Sequence, residues 1–124
     1  MEPKLLVVDD DVHIRKLLRL TLRKSGYQIE EAATGEEAMK LAESDRFDLV
    51  LLDLILPYYG GFRLCQRFKA THEPPYVIVM TADDSPETRA TAKECGADDF
   101  LAKPFSPTEV AAKIEALRVI GNRQ

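Results

Sequence analysis

Four short apolar runs each deliver a reactive side chain at their end. Leu5-Leu6-Val7-Val8 leads into Asp9-Asp10-Asp11, and Leu49-Val50-Leu51-Leu52 into Asp53. Tyr76-Val77-Ile78-Val79-Met80 leads into Thr81, and Phe100-Leu101-Ala102 into Lys103. A carboxylate closing a run of four apolar residues, as Asp53 does, needs something to compensate its charge. Several carboxylates in one cleft repel each other, and a hard, oxygen-preferring divalent cation relieves that repulsion. Magnesium is the expected ion, with manganese as a substitute. Asp9, Asp10 and Asp53 supply three negative charges, which Lys103 and one such ion balance, so the site is ready for a phosphate ester or phosphoramidate. Phosphoryl transfer asks of a protein mainly alignment and charge compensation on the transferring oxygens. The assignment that follows makes Asp53 the nucleophile and Lys103 a neutralising cation for phosphoryl oxygens, with Thr81 donating a hydroxyl hydrogen bond. Asp10 holds the metal directly, with Asp9 beside it.

Taken singly, each residue has a bland explanation. An acid after a strand is often a helix cap or a solvated loop residue, and Asp11 reads that way. A lone Thr81 or Lys103 would also read as structural. The specificity lies in the combination, and the combination requires a fold that brings four strand ends together.

The apolar runs, with a shorter one from Tyr27 to Ala32, read as strands buried on both faces. Between them apolar residues recur at helical spacing: Ile14, Leu17, Leu18 and Leu22; Ala38, Leu41 and Ala42; Val110, Ile114 and Leu117. Helix starts are marked by Thr34 with Glu37, by Ser85-Pro86, and by Ser106-Pro107 with Glu109. Gly26, Gly96 and Gly121 stand where helices should stop. Strand and helix alternate five times, which predicts an α/β fold: a doubly wound (βα)5 unit whose open parallel sheet has helices on both faces. In such sheets ligands bind beyond the carboxyl ends of the strands, near the point where strand order reverses. One domain over 1–121 is expected, followed by a polar tail, 122–124, that could begin a linker.

Composition narrows the function classes. The 124 residues are 45% hydrophobic and 31% charged, with seven prolines and six glycines, as in a globular protein. A net charge of −4 and scattered lysines and arginines give no field for direct nucleic-acid binding. The four apolar residues before the first acids are too few for a signal peptide or a membrane span, so a cytoplasmic location is expected. Cys65 and Cys95 are compatible with one disulfide, but buried free thiols are the better reading. His13 and His72 lack partners at ligand spacing, which argues against structural zinc.

Together these residues resemble the response-regulator receiver domains of two-component signalling, the CheY-like family, over essentially the whole chain. The matching motifs are Val7-Val8-Asp9-Asp10-Asp11, Asp48-Leu49-Val50-Leu51-Leu52-Asp53-Leu54 followed by Leu56-Pro57, Met80-Thr81-Ala82, and Gly96-Ala97-Asp98-Asp99-Phe100-Leu101-Ala102-Lys103-Pro104-Phe105. The resemblance implies a flavodoxin-like sheet of order 2-1-3-4-5. It implies phosphorylation of Asp53 by a sensor histidine kinase, a phosphotransfer protein or a small phosphodonor. Metal binding is implied through Asp9, Asp10, Asp53 and the backbone carbonyl of Ile55, as is a cis Lys103-Pro104 bond. The domain is then a phosphoacceptor regulator rather than an enzyme, its only chemistry being self-catalysed phosphorylation and autodephosphorylation. The family couples the Thr81 hydroxyl to the aromatic at Phe100 and remodels the face of the fourth helix, fifth strand and fifth helix. That face serves an effector protein, a fused output domain or a homodimer partner. Phe100 can equally be a plain core aromatic, and it lacks the phenolic hydroxyl of the tyrosine often found there.

Two further departures concern the loops around the site. Tyr58-Tyr59-Gly60-Gly61 replaces the usual acid before a glycine and suggests a mobile loop. Ile55 could shield an acyl phosphate from water, whereas Asp83 could orient an attacking water. Two rival readings remain. A haloacid-dehalogenase-like phosphatase would share the aspartyl nucleophile, magnesium, a threonine and a lysine, with Asp98-Asp99 as its late acid pair. It wants its nucleophile after the first strand and Thr or Val where this chain has His13, and no segment remains for a substrate-selecting cap. A pseudo-receiver acting only as a docking module has no chemical reason to keep Asp9, Asp10, Asp53, Thr81 and Lys103 together.

Overall fold

A computed structural model of the chain describes residues 2–56 and 60–122. Its elements alternate as expected: β1 (Lys4–Val8), α1 (Val12–Leu22), β2 (Gln28–Ala32), α2 (Gly35–Ser44), β3 (Leu49–Asp53), α3 (Gly61–Lys69), β4 (Tyr76–Thr81), α4 (Pro86–Glu94), β5 (Asp99–Ala102) and α5 (Pro107–Asn122). The five strands form one sheet of order β2-β1-β3-β4-β5, and every neighbouring pair is parallel. Strand order therefore reverses between β1 and β3, which places Asp9 and Asp53 at the carboxyl ends of adjacent strands.

Side chains alternate along each strand, so the sheet builds two cores. Leu6, Val8, Val50, Leu52, Val77 and Val79 face one side, where Ala38 of α2, Leu64, Cys65 and Phe68 of α3 and Ala92 of α4 pack on them. Leu5, Val7, Leu49, Leu51, Ile78, Met80 and Leu101 face the other, against Leu18 and Leu22 of α1 and Val110 and Ile114 of α5. The Val110–Ile114–Leu117 stripe thus serves the core. Each fully buried leucine or valine contributes roughly 1.5–3 kcal/mol, and four of the five residues in each of the central strands β1 and β3 are of these two types.

Polar side chains set the helix starts. The side chains of Asp11, Thr34 and Ser85 accept from the backbone N–H groups of His13, Glu37 and Thr88, and Ser106 Oγ accepts from Glu109 N at 3.1 Å. Each such cap contributes about 1 kcal/mol. Gly26 and Gly96 have φ of 92° and 98°, as expected at helix ends.

Three expectations need correction. The sheet's outer strands are not buried on both faces: β2 and β5 are edge strands, paired along one side and mostly half-buried. Helix α5 continues through Gly121 to Asn122 instead of stopping there, which a helix tolerates at a cost of about 1 kcal/mol per glycine. Gly61 is the buried first residue of α3 rather than part of a loose loop, while Pro57, Tyr58 and Tyr59 lie outside the described residues, as do Arg123 and Gln124 of the tail. Both cysteines are free thiols, Cys65 buried and Cys95 half-buried. Among the described residues, no helix is long and apolar enough to cross a membrane.

Candidate functional site

At the carboxyl edge of the sheet, Asp9 follows β1 and Asp53 closes β3. Both are buried, at 0% and 4% exposure, although each carries a carboxylate. Asp10 is exposed beside them, and carboxylate oxygens of Asp9, Asp10 and Asp53 lie within 4.8 Å of one another. Three anionic oxygens at that spacing, two on buried groups, fit a hard divalent cation of magnesium type.

The compensating charge comes from Lys103, just after β5. Lys103 Nζ donates to Asp9 Oδ2 at 2.8 Å and lies 3.4 Å from Asp53 Oδ2. The Lys103–Pro104 peptide bond is cis. Burial disfavours the Lys103 ammonium, yet the hydrogen bond to Asp9 and the charges of Asp53 and Asp9 outweigh it, holding its pKa above the ordinary lysine value. The Asp53 pKa also moves up, but for a carboxyl that disfavours the charged form. Desolvation raises its pKa to about 6; the Ile55 N–H, 3.0 Å from Oδ1, opposes that shift, as does Lys103, while the Asp9 charge adds to it. A group poised this way, in a cleft with specific charge partners, is a candidate for chemistry.

Thr81 ends β4 and is buried, and its Oγ1 accepts from Asp83 N at 3.1 Å, which leaves its own O–H to donate elsewhere. Asp83 is committed to α4: Oδ1 accepts from Ser85 N at 3.1 Å and Oδ2 from Thr88 Oγ1 at 2.6 Å. Those bonds, the one from Thr88 foremost, hold its carboxyl below the usual range. Ile55 is 66% exposed at the rim of the site. Phe100 lies farther along, half-buried, with the Arg89 guanidinium 4.3 Å above its ring centroid. His13, which stands where a haloacid-dehalogenase pattern wants Thr or Val, donates its backbone N–H to the Asp11 cap at 2.8 Å.

Two contributors were missed in the sequence. Gly61 N donates to Leu54 O at 3.0 Å, and a Cβ on Gly61 would strike the Leu54 Cα and stand 2.6 Å from Asp53 O. Only glycine lets α3 lie so close to the strand end that presents Asp53. Arg15 Nη1 donates to the main-chain carbonyl of Asp9 at 2.7 Å. The Gly60-Gly61 pair is the local signal for the first, although a glycine pair by itself points to mobility; nothing local signals the second.

A doubly wound sheet with acids just after β1 and at the end of β3, a hydroxyl at the end of β4 and a lysine just after β5 has the arrangement of a receiver-type scaffold. The family model for the response regulator receiver domain matches residues 5–115. The alkaline phosphatase synthesis transcriptional regulatory protein PhoP of Bacillus subtilis is 40% identical over 117 residues, 94% of this chain and 49% of its own length. The chemotaxis response regulator CheY4 of Vibrio cholerae superposes with a TM-score of 0.87 at 31% identity, covering 94% of this chain and 98% of that one. DrrB of Thermotoga maritima, an OmpR/PhoB homologue, gives 0.88 at 31% identity, covering 100% of this chain and 55% of its own. The chain spans about half the length of the curated relatives it matches. It belongs to the response regulator receiver family of two-component systems.

Proposed function

We propose that Asp53 accepts a phosphoryl group from the phosphohistidine of a sensor kinase or phosphotransfer protein, or from a small acyl phosphate. The observation that carries this reading is a buried carboxylate grouped within 4.8 Å of two other acids and approached by Lys103. An Asp53 oxygen forms the new P–O bond as the donor's P–N or P–O bond breaks, and the donor leaves with the electron pair. With its pKa near 6, Asp53 is mostly ionised at neutral pH and available as the nucleophile. A magnesium ion held by Asp9, Asp10, Asp53 and the Ile55 carbonyl would offset charge on the phosphoryl oxygens, with manganese as a substitute. Lys103 offsets more of that charge, and the Thr81 hydroxyl donates to one oxygen.

The phosphoryl state is read on the face of α4, β5 and α5. Thr81 is tied through Asp83 to the start of α4, and Phe100 on β5 packs under Arg89 of α4. The reader is an effector protein, a second copy of the chain, or an output domain of the kind that the roughly twofold greater length of PhoP leaves room for. Turnover is limited to self-phosphorylation and autodephosphorylation.

Incubation with magnesium and acetyl phosphate, followed by intact mass, tests the assignment. The wild type should gain one phosphoryl group and Asp53→Asn none. An adduct that survives that substitution, or a wild type that gains nothing, would overturn it. Catalytic turnover of the donor without an adduct would favour a phosphatase instead.

A further inference from the structure

The geometry points to Arg15 as a positioning residue for the divalent-cation site, an inference that rests on the metal-assisted reading above. Arg15 lies in α1, and its side chain is only 15% exposed. One arm of its guanidinium, Nη1, donates to the Asp9 carbonyl at 2.7 Å. Nε faces Glu31 Oε1 of β2 at 3.3 Å, and the other oxygen of Glu31 takes Arg19 Nη1 at 2.5 Å. A planar fork that meets a carbonyl and a carboxylate together is a rigid brace that a lysine cannot reproduce.

What it braces is the peptide group between Asp9 and Asp10. Asp9 is held on its other sides: its N–H donates to Ala32 O at 3.1 Å, Oδ1 accepts from Asp11 N at 2.9 Å, and Oδ2 takes Lys103. Asp10 is exposed, and among the described residues its carboxylate takes no hydrogen bond. Its direction therefore depends on its backbone. Because the peptide unit is planar, fixing the Asp9 carbonyl fixes the plane from which Asp10 departs. Arg15 thus holds Asp10 at ligand distance from Asp9 and Asp53 before any ion arrives.

The charge of Arg15 acts in the opposite sense, since a nearby cation weakens binding of another. Glu31 offsets that charge at 3.3 Å, so orientation should outweigh repulsion. The two effects predict opposite signs, which makes the inference testable.

The test is calorimetric titration of magnesium chloride into unphosphorylated wild type, Arg15→Ala, Arg15→Lys and Arg19→Ala, each first shown to be folded by circular dichroism. Arg15→Ala should weaken binding about tenfold, the low end of what outer partners of metal ligands contribute. Arg15→Lys should recover part of that loss, and Arg19→Ala, which shares Glu31 but does not reach Asp9, should stay within about twofold. In acetyl phosphate reactions the magnesium half-saturation point of Arg15→Ala should rise by the same factor while the plateau rate stays near wild type, a split that general loss of structure would not produce. Unchanged or tighter binding by Arg15→Ala overturns the inference, as does equal weakening by Arg19→Ala. If Arg15→Ala does not fold, Arg15→Lys decides on the same criterion. A wild type that binds magnesium but takes no phosphoryl group would overturn only the function proposed above, and the calorimetry would still decide the role of Arg15.

Discussion

The two ends of the proposed signalling path are built differently. At the strand ends, Asp9 and Asp53 are buried, joined through Lys103, and backed by Gly61 against Leu54 and by Arg15 on the Asp9 carbonyl. At α4 a single residue, Ala92, is buried, and the helix start is held by the exchange among Asp83, Ser85 and Thr88. Phe100 packs at the margin of one core, with an exposed arginine over its ring. Elements with little buried apolar surface and solvent-facing polar ties open at lower free energy than packed strands. The proposed function thus puts chemistry where positions are over-determined and response where they are cheap to change.

The largest effect should come from disturbing the rigid end. Gly61→Ala would place a methyl group against the Leu54 Cα, 2.6 Å from Asp53 O and 2.7 Å from Leu54 C. These are backbone atoms that cannot rotate away, so a loss of about 2–3 kcal/mol is expected. Gly60→Ala meets nothing within 4 Å but keeps a φ of +82°, which should cost about 1 kcal/mol. Chemical denaturation of the pair checks the order, and a Gly60 variant less stable than the Gly61 variant would refute the tight-approach account.

A smaller effect follows from the charge held at that end. The folded-state pKa of Asp53 is raised from the ordinary 3.8 to about 6, chiefly by desolvation. Between those values the folded protein keeps a proton that the unfolded chain releases, so this group makes stability fall as pH rises through the window. Above it the ionised carboxylate costs on the order of 1–3 kcal/mol, once its remaining partners are allowed for. Asp53→Asn should therefore be more stable than wild type by that amount near pH 7.5, with the gap shrinking by more than half near pH 4.5. Melts at the two pH values without divalent cation test this; equal stability at the higher pH would remove the desolvation argument. The acceptor would then be an example of function held at the expense of stability.

The difference between the two ends also explains what the sequence could reveal. Asp9, Asp10, Asp53, Thr81 and Lys103 were legible because each follows an apolar run that is recognisable locally, and one topological rule brings strand ends together. The helix starts at Thr34, Ser85 and Ser106 were legible because a cap bonds within three residues of itself. Arg15 was hidden because its partners are a carbonyl just after β1 and a carboxylate on β2, and on α1 it looks like any solvated residue. Gly61 was misread because glycine pairs signal freedom, whereas here the missing Cβ serves contact with Leu54. The edge positions of β2 and β5 follow from the strand order 2-1-3-4-5, which periodicity does not encode and only the motif resemblance implied.

The smallest effect should come from the responsive end. Arg89 stacks on Phe100 at 4.3 Å and pairs with Asp84 at 2.5 Å, with both charged side chains about half exposed at 51%. An exposed ion pair contributes little, and a cation over a half-buried ring about 0.5–1 kcal/mol. Arg89→Ala should accordingly lower stability by no more than about 1 kcal/mol and leave the acetyl phosphate reaction of Asp53 within about twofold, since Arg89 touches none of the reacting groups. Partial exposure of Phe100 should follow, read as faster amide exchange in β5 and α4 at unchanged exchange in β1 and β3. A variant that instead slowed phosphorylation tenfold would show the two ends to be mechanically one unit, and the contrast between a fixed chemical end and a loosely held responding face would fail.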